Sequence, residues 1–207
     1  MSIFKTFKGI CILLFLCATM HSNKVYSQTY NSHTTTGQLA RSITSGHASE
    51  EAKVKALFVW IANTISYDHE LQNSRKLQKE IYTTEENVIK HVLKRKKALC
   101  GGYAFLFTEL CTRLGIESKV IHGFSKKYTP GAYKNKQVDH SWNAVKINGK
   151  WELLDINWAV SMKEGEKISM YWYLTNPEHF IYSHFPADPK WTLLDRKVSR
   201  EEFYGLK

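Results

Sequence analysis

The stretch His140-Ser141-Trp142-Asn143-Ala144-Val145-Lys146-Ile147-Asn148-Gly149-Lys150-Trp151-Glu152-Leu153-Leu154-Asp155-Ile156-Asn157 decides the fold. Two alternating runs flank Asn148-Gly149, a pair that favours the left-handed backbone of a two-residue primed turn. With Ile147 opposite Lys150, Val145 faces Glu152, Trp142 faces Asp155 and His140 faces Asn157. Directly opposed residues share a face, so His140, Trp142, Asp155 and Asn157 project the same way. His140 and Asp155 become diagonal neighbours with alpha carbons roughly 7–8 Å apart, a gap that an imidazole and a carboxylate bridge.

Both faces of this hairpin carry apolar residues: Trp142, Ala144, Trp151 and Leu153 beside His140, and Val145, Ile147, Leu154 and Ile156 opposite. A hairpin covered on two sides belongs in the middle of a sheet packed under helices, which makes the fold class α+β with an antiparallel sheet. Upstream, Ser49 caps a helix that runs to Ile65 with Val54, Leu57, Phe58, Ile61 and Ile65 on one face. Trp60 is read as an anchor of that helix in the core, and Tyr67-Asp68 ends it. Thr83 and Glu86 form a capping box for a second helix ending in the basic run to Lys97. A third helix starts at Cys100. Residues 118–124 read as a strand and 126–137 as a polar loop.

Cys100 and Cys111 differ in what their positions imply. Tyr103, Leu106, Phe107, Leu110, Cys111 and Leu114 recur at helical spacing, and Gly115 is a natural stop. On that helix the two cysteines lie about 16 Å apart along the axis at about 1.5 Å per residue, beyond the roughly 7 Å limit of a disulfide. Both are expected as free thiols. Cys111 falls on the apolar stripe, whereas Cys100 sits at the helix start, where unpaired amides and the dipole favour a thiolate. Gly101 and Gly102 follow it at some cost in helix stability. Either they let a substrate carbonyl approach and place amides for an oxyanion, or they allow close packing.

Residues 1–27 read as an export signal: Lys5 and Lys8, an apolar run from Ile10 to Met20, and Val25-Tyr26-Ser27 before a cleavage point near Ser27. Eleven apolar residues are too few for a membrane span, which takes about 20. Leu16 is larger than a lipoprotein signal before Cys17 prefers, so a lipid anchor is not expected. The expected organisation is a signal over 1–27, a polar segment over 28–48 and one domain over 49–207, in a periplasmic or secreted protein.

The formal charge of the 207-residue chain is +10, and loss of Lys5, Lys8 and Lys24 lowers it to +7. The run Lys90-His91-Val92-Leu93-Lys94-Arg95-Lys96-Lys97 is read as the solvated last turn of a helix, where cations complement the dipole. No nucleic-acid motif accompanies it. Residues 169–207 are rich in aromatic side chains but interrupted by Pro177, Pro186 and Pro189, so short strands and packed loops are expected there. His179 and His184 in this region are read as packing or surface residues.

The segments Cys100-Gly101-Gly102-Tyr103-Ala104, His140-Ser141-Trp142-Asn143-Ala144-Val145 and Trp151-Glu152-Leu153-Leu154-Asp155-Ile156-Asn157-Trp158 resemble the transglutaminase-like superfamily, which shares a papain-like core. Further likeness, through Phe58-Val59-Trp60-Ile61, Tyr67-Asp68, Tyr173-Leu174-Thr175-Asn176-Pro177 and His184-Phe185-Pro186, points to the kyphoscoliosis-peptidase and cytokinesis-protein branch and its exported bacterial single-domain members. The resemblance implies a catalytic triad of Cys100, His140 and Asp155, no cofactor and no metal, and a protein or peptide substrate. Gly101 departs from the polar residue frequent after the cysteine, and Asn157 from the small hydroxyl residue frequent at its place.

The expected chemistry is acyl transfer through a thioester, ending in hydrolysis with water or in transamidation with an amine. The competing reading is a catalytically silent module of the same fold that binds a protein partner. Zinc ligation by the same residues fits less well, because the close ligand spacing of zinc sites is absent.

Overall fold

The computed structural model describes residues 35–126, 137–163 and 165–206, and it contains the expected hairpin. Asn148 and Gly149 take φ of +50° and +84°, the two left-handed residues that a type I′ turn requires. The strands His140–Ile147 and Lys150–Leu154 pair in the expected register, Ile147 with Lys150, Val145 with Glu152 and Asn143 with Leu154. Beyond that the ladder stops. Asp155 stays extended but its amide donates to Trp172 O at 2.9 Å, and its own carbonyl accepts the Ala159 amide, so a helix begins where a strand continuation was expected. Asn157 therefore sits in that helix and does not pair with His140. The sequence Asp-Ile-Asn-Trp holds a good N-cap, and capping overrode the period-two pattern.

In chain order the elements are helices α1 (Thr36–Ile43) and α2 (Glu50–Thr64), strand β1 (Ser66–Tyr67), helices α3 (His69–Asn73), α4 (Arg75–Ile81) and α5 (Glu85–Arg95), strand β2 (Lys97–Ala98) and helix α6 (Cys100–Thr112). Strands β3 (Ser118–Ser125), β4 (His140–Ile147) and β5 (Lys150–Leu154) follow, then α7 (Ile156–Ser161), α8 (Pro177–Phe180), β6 (His184–Pro186) and α9 (Arg200–Gly205). The main sheet is antiparallel with order β5-β4-β3-β6, and β1 pairs with β2 in a small parallel ribbon. The hairpin thus contributes one central strand, β4, and one edge strand, β5. That edge is shielded by a bridge between Leu153 and Thr175.

Ser49 caps α2 as expected, accepting the Ala52 amide, but the cap of α5 is Thr84, one residue after the predicted Thr83. Within the polar stretch read before residue 49, α1 buries Leu39 and Ala40, and Thr36 Oγ1 donates to Glu109 Oε1 on α6 at 2.6 Å. The described part of the aromatic-rich region, residues 169–206, forms short helices and turns around β6 more than strands. The export signal and almost all of the polar loop read over 126–137 lie outside the described residues.

One core joins α1, α2, α5, α6 and the sheet, and a smaller cluster of Phe124, Ile181, Phe185, Val198 and Phe203 lies under α9. Burying each of these larger side chains contributes about 1.5–3 kcal/mol. Asn143 of β4 ties the sheet to α6 by donating to Ala104 O at 3.1 Å and to Thr108 Oγ1 at 3.0 Å. On β3, Gly123 pairs with both His140 and Pro186. A Cβ there would lie 2.3 Å from Phe185 O and 2.4 Å from Trp142 Cη2, so only glycine lets β4 and β6 close on β3.

Candidate active site

Helix α6 begins without a side-chain cap. Leu99, its N-cap residue, is extended and its side chain offers no acceptor, and the first helical bond runs from Tyr103 N to Leu99 O at 3.2 Å. The amides of Cys100, Gly101 and Gly102 come before that bond, so none has an intrahelical acceptor. The two glycines behave differently. A Cβ on Gly102 would meet Val92 Cγ2 at 2.9 Å and Ala98 Cβ at 3.0 Å, which is the close-packing role. A Cβ on Gly101 would meet the Tyr82 ring at 3.3 Å, the half-exposed side chain that lies over this end of the helix.

The start of β4 brings His140 to that helix end, and the start of α7 brings Asp155. His140 Nε2 and Asp155 Oδ2 are 2.6 Å apart, with the two residues 5% and 1% exposed. Asp155 uses its other oxygen as the cap of α7, accepting the Trp158 amide at 2.9 Å. With Nε2 taken by Asp155, Nδ1 is the imidazole nitrogen left for Cys100, whose sulfur interacts with His140 and with the Ser141 amide. The three residues that the sequence nominated are thus brought to one point.

Their charges support one another. Burial pushes the Cys100 thiol up, but its hydrogen bond with His140 and that ring's positive charge outweigh burial and leave the thiol below its ordinary value. Burial depresses His140, yet the Asp155 carboxylate and its hydrogen bond prevail and raise it to about 10. Asp155 is opposed by burial and held well below the usual carboxylate range by His140 and His184. A thiolate beside an imidazolium is the state these shifts favour. Cys111, on the same helix, is fully buried and burial alone pushes its thiol up; both cysteines are free.

A second histidine joins the cluster. His184, at the start of β6, places Nε2 3.0 Å from the same Asp155 Oδ2 and Nδ1 2.8 Å from Ser183 Oγ. The sequence reading took it for a packing or surface residue, and it is buried and hydrogen-bonded at the site. No spacing rule would have found it, since a strand pairing across β3 delivers it. His140, Asp155 and His184 could be grouped as metal ligands, but both histidines already meet one carboxylate oxygen at hydrogen-bond distance. A 2.6 Å separation is that of a shared proton, and shorter than the roughly 3.3 Å between two ligands of a tetrahedral ion with bonds of about 2 Å. Trp142 and Trp158 are buried around the rings, 5.9 and 5.7 Å from His140, and so pack the site.

Comparison with known proteins gives the setting. Residues 37–156 match the family model of the transglutaminase-like superfamily, a span that includes Cys100, His140 and Asp155 and ends before His184. Kyphoscoliosis peptidase of Mus musculus is 31% identical over 163 residues, covering 75% of this chain and 24% of its own length. The Homo sapiens protein of that name is 30% identical over 159 residues, with 73% and 23% covered. Hillarin of Drosophila melanogaster is 27% identical over 191 residues, with 81% and 22% covered. The chain therefore spans about a quarter of the length of these relatives. A crystal structure of a TGase overlaps 70% of this chain and 34% of its own, at 21% identity and a TM-score of 0.45. By its matched core and its α+β fold, the chain belongs to the transglutaminase-like superfamily.

Proposed function

We propose that the protein is a thiol-dependent acyl-transfer enzyme acting on amide bonds of proteins or peptides, with Cys100, His140 and Asp155 as its triad. The observation that carries this reading is the buried 2.6 Å bond between His140 and Asp155 beside a thiol held below its ordinary value. The Cys100 thiolate adds to an amide carbonyl carbon, and the charge that develops on oxygen meets the uncapped amides of Cys100 and Gly101. The His140 imidazolium gives its proton to the leaving amine as the carbon–nitrogen bond breaks, leaving a thioester on Cys100. Neutral His140 then takes a proton from the second nucleophile, which displaces the thiolate. Asp155 holds the imidazole in the tautomer and orientation that both steps need.

Water as second nucleophile makes a peptidase or amidase, and an amine makes a transglutaminase. The relatives' names include a peptidase, while the superfamily is named for transamidation. Incubating the purified protein with casein and a labelled primary amine distinguishes the two, by cleavage fragments or by label built into casein. Neither product would overturn the enzyme reading and leave a silent binding module. The signal-like stretch around Ile10 to Met20 supports the further reading that the protein is exported. N-terminal sequencing of protein recovered after expression in a bacterial host checks this, with cleavage near Ser27 expected.

A further inference from the structure

We propose that His184 is a positioning residue for this site, whose Nε2–H fixes the Asp155 carboxylate that supports His140. The inference rests on the triad reading above and adds a residue beyond the 37–156 span of the family match.

The hydrogen-bond pattern defines the tautomer. Asp155 Oδ2 is a carboxylate oxygen and only accepts, so His184 donates to it from Nε2 at 3.0 Å. Nδ1 of His184 then carries a bare lone pair and accepts from Ser183 Oγ, 2.8 Å away, a better contact than the 3.3 Å alternative from that hydroxyl to Phe180 O. The ring is also locked by packing. It stacks on Phe180 at 4.1 Å between centroids and touches Trp158 at 4.3 Å and Trp142 at 5.0 Å.

His184 stays neutral, and the charge count of the cluster explains why. Burial depresses it to about 4; the Asp155 carboxylate and, more weakly, Asp139 oppose this, while the His140 charge adds to it. One carboxylate already balances one imidazolium, and a second buried cation would have no counter-charge. Asp155 is thereby held by three donors: the Trp158 amide on Oδ1, and both imidazoles on Oδ2. Removing one of them from this buried cluster leaves the carboxylate less well aimed and easier to protonate, and the His140 imidazolium loses support.

Two variants and one wild-type spectrum test this. His184→Phe keeps a ring on Phe180 and removes the donor; His184→Gln keeps an N–H near the place of Nε2. Nitrogen-15 NMR of the imidazoles is expected to show His184 in the Nε2–H neutral tautomer from pH 5 to 8 in the wild type. The His140 pKa is expected to fall by about one unit or more in His184→Phe and to stay within about 0.3 unit in His184→Gln. Iodoacetamide labelling of Cys100 at pH 6 should also be slower in the Phe variant and close to wild type in the Gln variant, by about tenfold for each unit that the thiol itself rises. An Nδ1–H tautomer in the wild type, a His140 titration unmoved in His184→Phe, or equal losses in both variants would overturn the proposal. The wild-type tautomer decides the matter even if His184→Phe does not fold. An inert Cys100 in the wild type would count against the enzyme reading instead, because the imidazole titrations are read without it.

Discussion

Helices α6 and α7 begin beside each other at the site and treat their first amides in opposite ways. At α7, Asp155 spends one oxygen on the Trp158 amide and the other on two imidazoles. At α6, Leu99 provides no side-chain acceptor; the Tyr82 phenol oxygen meets the Gly102 amide, and those of Cys100 and Gly101 have no acceptor within the helix. Ser49, Asp68, Ser74 and Thr84 cap α2 to α5 in the ordinary way. A missing cap typically costs about 1 kcal/mol, and the start of α6 carries that cost beside the proposed nucleophile. The capped helix fixes an anion, and in the proposed mechanism the uncapped one receives one.

The largest effect should come from breaking the α7 side. Asp155→Asn keeps an oxygen for the Trp158 amide but removes the charge that raises His140 to about 10. The expected result is near-normal folding with a turnover loss on the order of a thousandfold, read as amide cleavage or amine incorporation. Asp155→Ala should lose the same activity and also about 1 kcal/mol or more of stability with the cap, measured by denaturant unfolding.

Gly123→Ala tests how the two histidines are delivered to that anion. A Cβ at 2.3 Å from Phe185 O and 2.4 Å from Trp142 Cη2 forces β6 or the Trp142 ring away. A loss of at least about 2 kcal/mol is expected, as for other overpacked interiors; a wild-type unfolding midpoint would show that β3 and β6 can part without cost.

Capping the bare helix sharpens the contrast from the other side. In Leu99→Asp the new carboxylate accepts the Gly101 or Gly102 amide and sets a negative charge beside the thiol. Cys100 alkylation at pH 7 should slow about tenfold, a thiol shift of about one unit. Unchanged labelling would mean that the helix start contributes nothing to the thiolate.

The smallest effect is a stability profile with two slopes. His184 has its pKa depressed from 6.5 to about 4, so below pH 6.5 the unfolded chain binds a proton that the folded one refuses, and stability falls as pH drops toward 4. Asp155 adds to that loss at still lower pH, because its folded pKa is depressed too. His140 is raised from 6.5 to about 10, so its contribution is complete below pH 6.5 and is lost as pH rises toward 10. Melting temperature should peak near pH 6.5, and His184→Gln should flatten the slope between pH 6.5 and 4 only.

The half of the site that local rules govern was legible in the sequence. Asn148-Gly149 specifies its own turn, the turn fixes the β4–β5 register, and the register aligns His140 with Asp155. Helical spacing likewise separates Cys100 from Cys111. What was not legible depends on competition or on distance. Period-two alternation carried the reading of β5 through Asn157, where a capping aspartate instead starts α7. His184 reaches Asp155 through pairing of β6 with β3, a contact set by tertiary packing around Gly123 and by no pattern near His184. The start of α1 was hidden by its polar composition, although Thr35 and Gln38 form a capping box there.

The central claim is that Cys100 is a thiolate held by the His140 imidazolium, and iodoacetamide alkylation across pH measures it with Cys111 as an internal control. The account predicts that Cys100 labels rapidly well below about pH 8.5, the ordinary thiol value, that His140→Ala returns it to that value, and that buried Cys111 stays unlabelled while the protein is folded. Cys100 labelling that follows an ordinary thiol and ignores His140→Ala would contradict it.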